Sequence, residues 1–405
     1  MIKSPLYGGK KMGLMSEYIN RRLSANELEV ELLSLISKYN QKRNCFLLVF
    51  ASALGKQIPD VALSQEDYYI IADMLKGKPF VTNLDVYLET PGGSGEAAEE
   101  IVNFLRKHFQ NISFVVSGEA KSAGTLMVLS GNEILMTKTG SLGPIDAQMR
   151  IGRTIVSAFD YTEWVDEKYK EAEEKGKLNS FDAIMIAQIS PGELKGVYHS
   201  LKFAEDLVVE WLKNYKFKDW KITETRKTPV TDKMKEDRAK EIVAELINHA
   251  KWRSHGRSIK IEDLEEMELK ITKIDEDPIL QDIVNRIQTV CRLLFTTTST
   301  YKIFATQDEK IFKTALMTNA PIRMPQQPVR PPDVVRIKVK CSKCSKAYEV
   351  YGKFVPNSKI DDDCKKEGCI PFPKNNKLLC NCGFEIDLGG LRNDIEIKTG
   401  RKILD

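Results

Sequence analysis

Two short segments of the sequence combine small residues with groups suited to acyl chemistry. The first, TPGGSG at residues 90–95, follows the β-rich run LDVYLE at 84–89 and precedes a helix-like pattern. Its three glycines permit a tight turn and leave bare backbone N–H groups at a helix start, where an anion is stabilised. The second, AKSAG at residues 120–124, places Ser122 at the start of a small-residue helix, with its hydroxyl in the helix dipole field. Together the two segments predict an oxyanion hole beside a nucleophile.

Each segment also has a simpler interpretation. A glycine loop before a helix can cradle a phosphate, but this loop has neither the G-x-x-x-x-G-K-[ST] pattern nor the spaced G-x-G-x-x-G. A glycine turn without chemistry explains the first segment, and an ordinary helix N-cap role explains Ser122. The presence of both segments in one chain favours acyl transfer over these alternatives.

The two segments resemble the motifs of the ClpP-like serine peptidases, a superfamily that includes the SppA signal-peptide peptidases. A closer resemblance, over roughly residues 20–310, is to the serine dehydrogenase proteinase family, and four motifs carry it: TPGG at 90–93, AKSAGT at 120–125, GSLGPID at 140–146 and NHAKWRSHGR at 248–257. The resemblance implies that Ser122 is the nucleophile and that the N–H groups of Gly93 and Ala123 are the oxyanion donors. It further implies an ATP-independent serine endopeptidase that acts on peptides or proteins and assembles as a homo-oligomer.

The general base does not follow from these motifs. ClpP has a histidine where this chain has residues 145–148, IDAQ, whereas the SppA-like branch uses a lysine further along the chain. Lys168 is the candidate in that window, although its charged surroundings also fit an ordinary surface ion pair, which would keep the amine protonated. The remaining alternatives are Lys121, Lys170 and the four histidines at positions 108, 199, 249 and 255. A Clp-fold scaffold without a base is therefore the alternative function, and a crotonase-like acyl-CoA enzyme, which shares the core, has no use for this serine.

The cysteines are concentrated at one end of the chain. Two lie at positions 45 and 291, whereas six fall after residue 340, which favours a metal site in a reducing compartment over disulfides spread through the domains. Four of them form two close pairs that provide the thiolates for a tetrahedral structural zinc: Cys341, Cys344, Cys380 and Cys382. Cys364 and Cys369 either replace one pair or are free thiols. A segment of this size needs the metal for its folding free energy.

Charge and hydropathy restrict the partners and the compartment. Lys and Arg number 61 against 57 Asp and Glu, a net charge of +4, so there is no general reason to expect nucleic acid as a partner. Five lysines near the start of the cysteine-rich segment are offset by the acidic residues 361–363, so nucleic-acid binding through a zinc ribbon is the less favoured interpretation; the lysines are Lys338, Lys340, Lys343, Lys346 and Lys353. Residues 1–22 have no apolar stretch of the kind found in secretory signals, and the longest apolar run, 45–54, is too short for a membrane span. We expect a cytoplasmic protein without stable membrane insertion.

The hydrophobic pattern predicts the elements that position these residues. Short β-rich runs alternate with helical spacing from residue 45 to 159, which predicts βαβ units in an α/β core. The family resemblance implies that this core is of the Clp/crotonase type. After about Asp160 helix patterns dominate to about Thr306, and no further strand is expected. The predicted organisation has five parts: an N-terminal helical segment, 1–44; the ClpP-like catalytic core, 45–159; a helical extension, 160–310; a Pro-rich linker, 311–335; and a zinc ribbon, 336–405.

Overall fold

A computed structural model describes residues 12–76, 82–145, 148–151, 154–252, 254, 256–315 and 333–404 of the chain. The chain divides into two compact units, Met1–Met317 and Thr318–Asp405. Most of the predicted Pro-rich linker, residues 316–332, lies outside the described residues.

The first unit is built on a twisted sheet of seven strands in the order β11-β10-β1-β2-β3-β5-β9, with two-stranded pairs β4-β6 and β7-β8 beside it. Strands β1, β2, β3, β5 and β9 pair in parallel, whereas β10 is antiparallel to both β1 and β11. The strands are β1 (Phe46–Ser52), β2 (Asn83–Glu89), β3 (Asn111–Val116), β4 (Glu119–Ala120), β5 (Glu133–Met136), β6 (Ser141–Leu142), β7 (Gln148–Ile151), β8 (Thr154–Ser157), β9 (Thr272–Lys273), β10 (Thr300–Ala305) and β11 (Lys310–Thr314).

Helices cover both faces of this sheet. They are α1 (Leu14–Arg21), α2 (Ala25–Arg43), α3 (Gln65–Leu75), α4 (Gly95–His108), α5 (Ala123–Leu129), α6 (Ala158–Lys175), α7 (Ser180–Ala187), α8 (Pro191–Trp211), α9 (Asp232–Ile247), α10 (His249–Trp252), α11 (Ile261–Glu266) and α12 (Pro278–Thr297). None of the helices in the described ranges has both the length and the apolar character that crossing a membrane requires.

Strand β1 shows how the sheet separates two cores. All seven of its residues, FLLVFAS, are buried. Leu48 and Phe50 belong to the cluster that includes α3, α4, α5, α8 and α9, whereas Leu47 and Val49 belong to the cluster that includes α2 and α12. Because successive side chains of a strand point to opposite faces, a run that is apolar throughout is buried by helices on both sides. The predicted α/β core is confirmed by this three-layer arrangement.

The expectation that no strand occurs between about residue 160 and about residue 306 is wrong. Three strands of the main sheet, β9, β10 and β11, come later in the chain, and β10 lies directly against β1. Strand β10 begins three residues after α12 ends, so the helical pattern of α12 and the apolar pattern of β10 merge in the sequence. The segment 160–310 is therefore mainly helical, but it returns to the sheet before it ends.

The second unit is a small α/β structure. Its strands are β12 (Val334–Lys340), β13 (Ala347–Lys353), β14 (Ile370–Pro371), β15 (Lys377–Leu379) and β16 (Glu385–Asp387), and its helices are α13 (Ser358–Lys366) and α14 (Gly389–Thr399). Strands β12, β13 and β14 form one sheet, and β15 and β16 form a hairpin. Six buried side chains make up its main core: Val350, Phe354, Phe372, Leu378, Leu388 and Ile403. So small a core provides limited hydrophobic stabilisation.

Candidate active site and candidate metal centre

The glycine loop connects β2 to α4 at the carboxyl edge of the sheet. Gly92 has φ of +96° and Gly93 has φ of +150°, backbone angles that residues with a β-carbon rarely adopt. The loop is fixed against the segment before α3, because Leu63 N–H donates to Gly92 O at 2.7 Å and Ser94 N–H donates to Leu63 O at 3.0 Å. A β-carbon added at Gly93 would lie 2.3 Å from Leu63 O. Glycine is therefore required at both positions of this turn.

Ser122 lies in a strained turn that follows β4 and begins α5. Its backbone has φ of +49° and ψ of −116°, outside the conformations that non-glycine residues ordinarily adopt. The turn lies beside the glycine loop, since Lys121 N–H donates to Thr90 O at 3.0 Å. A helix N-cap normally has extended backbone and accepts a hydrogen bond through its side chain. Ser122 has neither feature, so ordinary capping does not explain this residue.

Two backbone N–H groups beside Ser122 are unused within the described part of the chain. Gly93 N–H has no acceptor there, because its neighbours Gly92 and Ser94 make the bonds to Leu63. Ala123 N–H, the first of α5, likewise donates to no described group. Helix starts leave such donors free, and an anion stabilises them.

A cavity of about 450 Å³ opens onto these groups. Helix α8 forms its opposite wall. The lining residues are Gly93, Ser94, Gly95, Glu96, Ser122, Ala123, Leu126, Ile145, His199, Ser200, Phe203 and Ala204. Two of these have titratable side chains, Glu96 and His199. Glu96 accepts a hydrogen bond from Ser94 Oγ at 2.8 Å.

Lys168 does not line this cavity. It lies on α6, where its Nζ is 2.7 Å from Asp182 Oδ2 and 3.0 Å from Glu171 Oε2. Hydrogen bonds to Asp182 and Glu171 raise the pKa of Lys168 above its ordinary value. Both carboxylates favour the charged amine, whereas a base must be neutral. Lys170, on the same helix, is exposed.

Lys121 is adjacent to Ser122 in sequence, but its side chain is directed elsewhere. Its Nζ donates to Leu142 O at 2.9 Å, to Ser258 Oγ at 3.0 Å and to Arg257 O at 3.2 Å. Burial lowers the pKa of Lys121. These three acceptors join the serine turn to β6 and to the segment before α11, which is a structural role.

Three further residues of the sequence motifs contribute no side-chain geometry. Asp146 and His255 lie outside the described residues, and the side chain of His249 is not described either. His108, at the end of α4, has its Nδ1 2.8 Å from Phe104 O. His199 is thus the histidine that the described structure places at the cavity with Ser122.

Four cysteine sulfurs of the second unit converge at one point. The ligand atoms of Cys341, Cys344, Cys380 and Cys382 all lie within 4.8 Å of one another. Contacts between individual sulfurs are 3.7 Å for Cys341 and Cys382, 3.5 Å for Cys344 and Cys380, and 3.5 Å for Cys380 and Cys382. A tetrahedral zinc with Zn–S bonds of about 2.3 Å separates its sulfurs by about 3.8 Å. The four sulfurs therefore fit a single metal ion.

Neighbouring groups favour a thiolate at Cys380. Tyr348 donates its hydroxyl hydrogen to Cys380 Sγ at 3.1 Å, and the tyrosine oxygen accepts from Asn381 N–H at 3.0 Å. The backbone N–H of Cys382 and the Tyr348 hydroxyl lower the pKa of the Cys380 thiol. The other two cysteines, Cys364 and Cys369, are outside the four-sulfur cluster and pack with Tyr351.

The mixed α/β sheet carries the glycine loop and the strained serine turn at its carboxyl edge, as expected for a ClpP-like fold. Residues 62–214 match the family model described as ClpP-like SDH-type serine proteinase. The matched segment contains the glycine loop, Ser122 and α8. The resemblance predicted from the sequence motifs is confirmed.

Two uncharacterized proteins of Methanocaldococcus jannaschii are similar to this chain. MJ1495 is 24% identical over 206 residues, which are 51% of this chain and 58% of that protein. MJ0137 is 24% identical over 263 residues, which are 63% of this chain and 79% of that protein. The chain thus spans less than two thirds of the first of these relatives.

Solved structures with some similarity include two variant forms of the 1510-N membrane-bound stomatin-specific protease, one of them in complex with a substrate peptide. Both share 14% sequence identity with this chain. The matches cover 53% and 52% of this chain and 77% and 70% of the solved chains, with TM-scores of 0.28 and 0.27.

Proposed function

We propose that the protein is an ATP-independent serine endopeptidase. Ser122 attacks the carbonyl carbon of a peptide bond, and the N–H groups of Gly93 and Ala123 bind the oxyanion that forms. The observation that carries this proposal is the strained backbone of Ser122 directly beside two unused N–H donors. Donors fixed in advance at a developing oxyanion lower the barrier substantially, about 3 kcal/mol for one donor.

His199 is our proposal for the general base. It faces the cavity that Ser122 lines, and imidazole is the side chain that changes its charge nearest neutral pH. Lys168, the candidate from the sequence, is held by two carboxylates that favour its charged form. In the acylation step the imidazole accepts the Ser122 proton, and the same proton then passes to the leaving amine as the peptide bond breaks.

Labelling with a fluorophosphonate tests the nucleophile. The wild-type chain is expected to acquire one covalent label, located at Ser122 by mass spectrometry, and Ser122→Ala is expected to acquire none. Ser130→Ala is the matched control, since Ser130 lies at the other end of α5 and donates to Met127 O. Labelling of a wild-type chain at another serine, or equal labelling of Ser122→Ala, overturns the proposal. A folded wild-type chain that never reacts favours the scaffold function.

A second set of variants tests the base. His199→Gln is expected to lower the second-order labelling rate by about 100-fold or more, the usual range for a lost general base. Lys168→Met is expected to retain the wild-type rate. The reverse pattern assigns the base to Lys168.

Zinc is the metal we propose for the four-cysteine cluster, with a structural role. Metal analysis of the purified chain is expected to give one zinc per chain, and both Cys341→Ser and Cys380→Ser are expected to lose it. Cys364→Ser is the matched control, because Cys364 is buried in the same unit but outside the cluster. Unchanged zinc in either ligand variant contradicts the assignment.

The substrate class and the oligomeric state are proposed from the resemblance to the family, and the compartment is proposed from the cysteine cluster. Substrates are peptides or proteins, the compartment is the cytoplasm because a thiolate cluster requires reduced cysteines, and the chain is a homo-oligomer. Light scattering coupled to size exclusion is expected to give a mass of at least two chains, each of 46.0 kDa.

A further inference from the structure

A lysine on β10, the strand next to the edge strand β11, has no solvent contact. Lys302 is on β10 between Tyr301 and Ile303, and its side chain is 0% exposed. Its neighbour on the adjacent strand is Ser52 of β1. Fully buried lysines are rare unless they are paired. A lysine at this buried strand position therefore requires a partner for its charge.

The ammonium group of Lys302 makes its hydrogen bonds to one short segment, residues 62–67. Its Nζ contacts both carboxylate oxygens of Asp67, at 2.6 Å and 2.8 Å, and donates to Ala62 O at 2.8 Å. The Asp67 carboxylate, also 0% exposed, accepts a further hydrogen bond from Ser64 N–H at 2.9 Å. One buried ammonium group and one buried carboxylate thus fix residues 62–64 on both sides.

The segment fixed in this way is the one that holds the glycine loop. Leu63 lies between the two residues bound by the ion pair, and it bonds Gly92 O through its N–H and Ser94 N–H through its carbonyl. Leu63 is also paired with Gly93 in a parallel bridge. The contacts run without interruption from Lys302 through residues 62–64 to Gly93, whose N–H is one of the two unused donors.

We propose that Lys302 and Asp67 are positioning residues for the oxyanion loop. The proposal rests on the serine peptidase function proposed above. The pair sets the location of Gly93 N–H relative to Ser122, and neither side chain lines the cavity or contacts the reacting atoms.

Stability alone is a weak reason for this pair. Burial lowers the pKa of Lys302 and raises the pKa of Asp67, so in each residue the loss of water opposes the charged form. Replacement of a buried ion pair by neutral groups of similar size is often neutral or stabilising. A role in positioning the loop gives these charged groups a reason beyond the bond that Asp67 accepts from Ser64 N–H at the start of α3.

The test is the double substitution Lys302→Met with Asp67→Asn. It removes both charges at similar volume and retains an acceptor for Ser64 N–H, whereas Lys302→Met alone would leave a buried unpaired carboxylate. The matched control is Arg43→Met with Asp85→Asn, which removes a partly buried ion pair of 3.1 Å between α2 and β2 and also the 2.7 Å ion pair of Arg43 with Glu133. Lys302→Arg, which keeps the positive charge, serves as the conservative variant if the double variant does not fold.

Two readouts are needed. The maximal rate of fluorophosphonate labelling at saturating reagent is expected to fall by about 100-fold in the double variant, because small displacements of catalytic groups have effects of this size. The half-saturating reagent concentration and the thermal midpoint are expected to change little. Amide hydrogen exchange in residues 90–96 is expected to accelerate in the double variant and not in the control, and Lys302→Arg is expected to give intermediate values in both readouts.

A folded double variant with the wild-type labelling rate and unchanged exchange in residues 90–96 overturns the positioning role. If the wild-type chain shows no labelling that depends on Ser122, the peptidase function fails instead, and hydrogen exchange still decides whether the pair fixes the loop. Equal acceleration in the Arg43 control would show a general loss of rigidity and would also overturn the proposal.

Discussion

Gly92 and Ser122 are in direct contact, although they come from the ends of two different strands. A β-carbon added at Gly92 would lie 2.7 Å from Ser122 Cβ and 2.7 Å from Lys121 O. Strands β2 and β3 are parallel neighbours, so the segments that follow them leave the same edge of the sheet and meet there. The absence of a side chain at residue 92 lets the serine turn approach the oxyanion loop.

Gly92→Ala is therefore expected to lower the rate of labelling at Ser122 by at least about 100-fold. The new methyl group would require the two loops to separate, and alanine is strained at the φ of +96° found there. The measurement is the second-order rate of fluorophosphonate labelling, with the thermal midpoint recorded for the same sample.

Gly55→Ala is the matched control, because no atom lies within 4 Å of the position that its β-carbon would occupy. It is expected to label at the wild-type rate. A Gly92→Ala chain that labels as fast as wild type would show that the two loops do not need this contact.

The pH dependence of labelling separates His199 from Lys168. Because its two carboxylate partners raise the pKa of Lys168, this amine stays charged below its unfolded value of about 10.4. The ion pairs of Lys168 therefore contribute fully to the free energy of unfolding below that pH, and this contribution is lost as the pH rises through the raised pKa. If Lys168 is not the base, the labelling rate should not follow the deprotonation of this amine.

A rate that keeps increasing beyond pH 10 would identify Lys168 as the base. Lys168→Met gives the independent check: a lower thermal midpoint with an unchanged labelling profile is expected. Loss of labelling at every pH in this variant would contradict our assignment.

Local pattern was sufficient to predict the parallel core. Strand β1, at Phe46–Ser52, and α4, at Gly95–His108, lie within residues 45–159, where the pattern predicts alternating strands and helices. Both have strong apolar periodicity and clear glycine or polar boundaries, which are local properties. The cysteine pairs were also recognisable, since ligand spacing is a local signal.

Contacts between distant segments were not predictable in the same way. In the sequence, Lys302 is a polar residue that follows a threonine-rich region. Its burial beside Asp67 becomes apparent only when β10 pairs with β1. His199 belongs to a charged amphipathic helix, and nothing in that pattern places it over Ser122. The sequence signal that remained was a lysine between apolar β-formers, YKIF at residues 301–304, which is unusual for a solvated strand.

Lys121→Met is expected to destabilise the fold without removing the nucleophile. Its Nζ satisfies the carbonyls of Leu142 and Arg257 and the hydroxyl of Ser258, and buried acceptors left without a donor cost about 1–3 kcal/mol each. Chemical denaturation is expected to show a lower free energy of unfolding, whereas folded protein still labels at Ser122. Complete loss of labelling in a variant that remains folded would instead make Lys121 the base.

Tyr348→Phe is expected to weaken zinc binding without abolishing it. The Tyr348 hydroxyl donates to Cys380 Sγ at 3.1 Å, and outer partners of this kind typically change metal affinity by about 10–100-fold. Competition with a chromophoric chelator measures the affinity. Tyr351→Phe is the control, because Tyr351 donates to Asp361 Oδ1 at 2.9 Å in the same unit and has no contact with the four sulfurs. Equal affinities for wild type and Tyr348→Phe would show that the hydroxyl does not support the thiolate, and an equal loss in both tyrosine variants would indicate destabilisation of the whole unit.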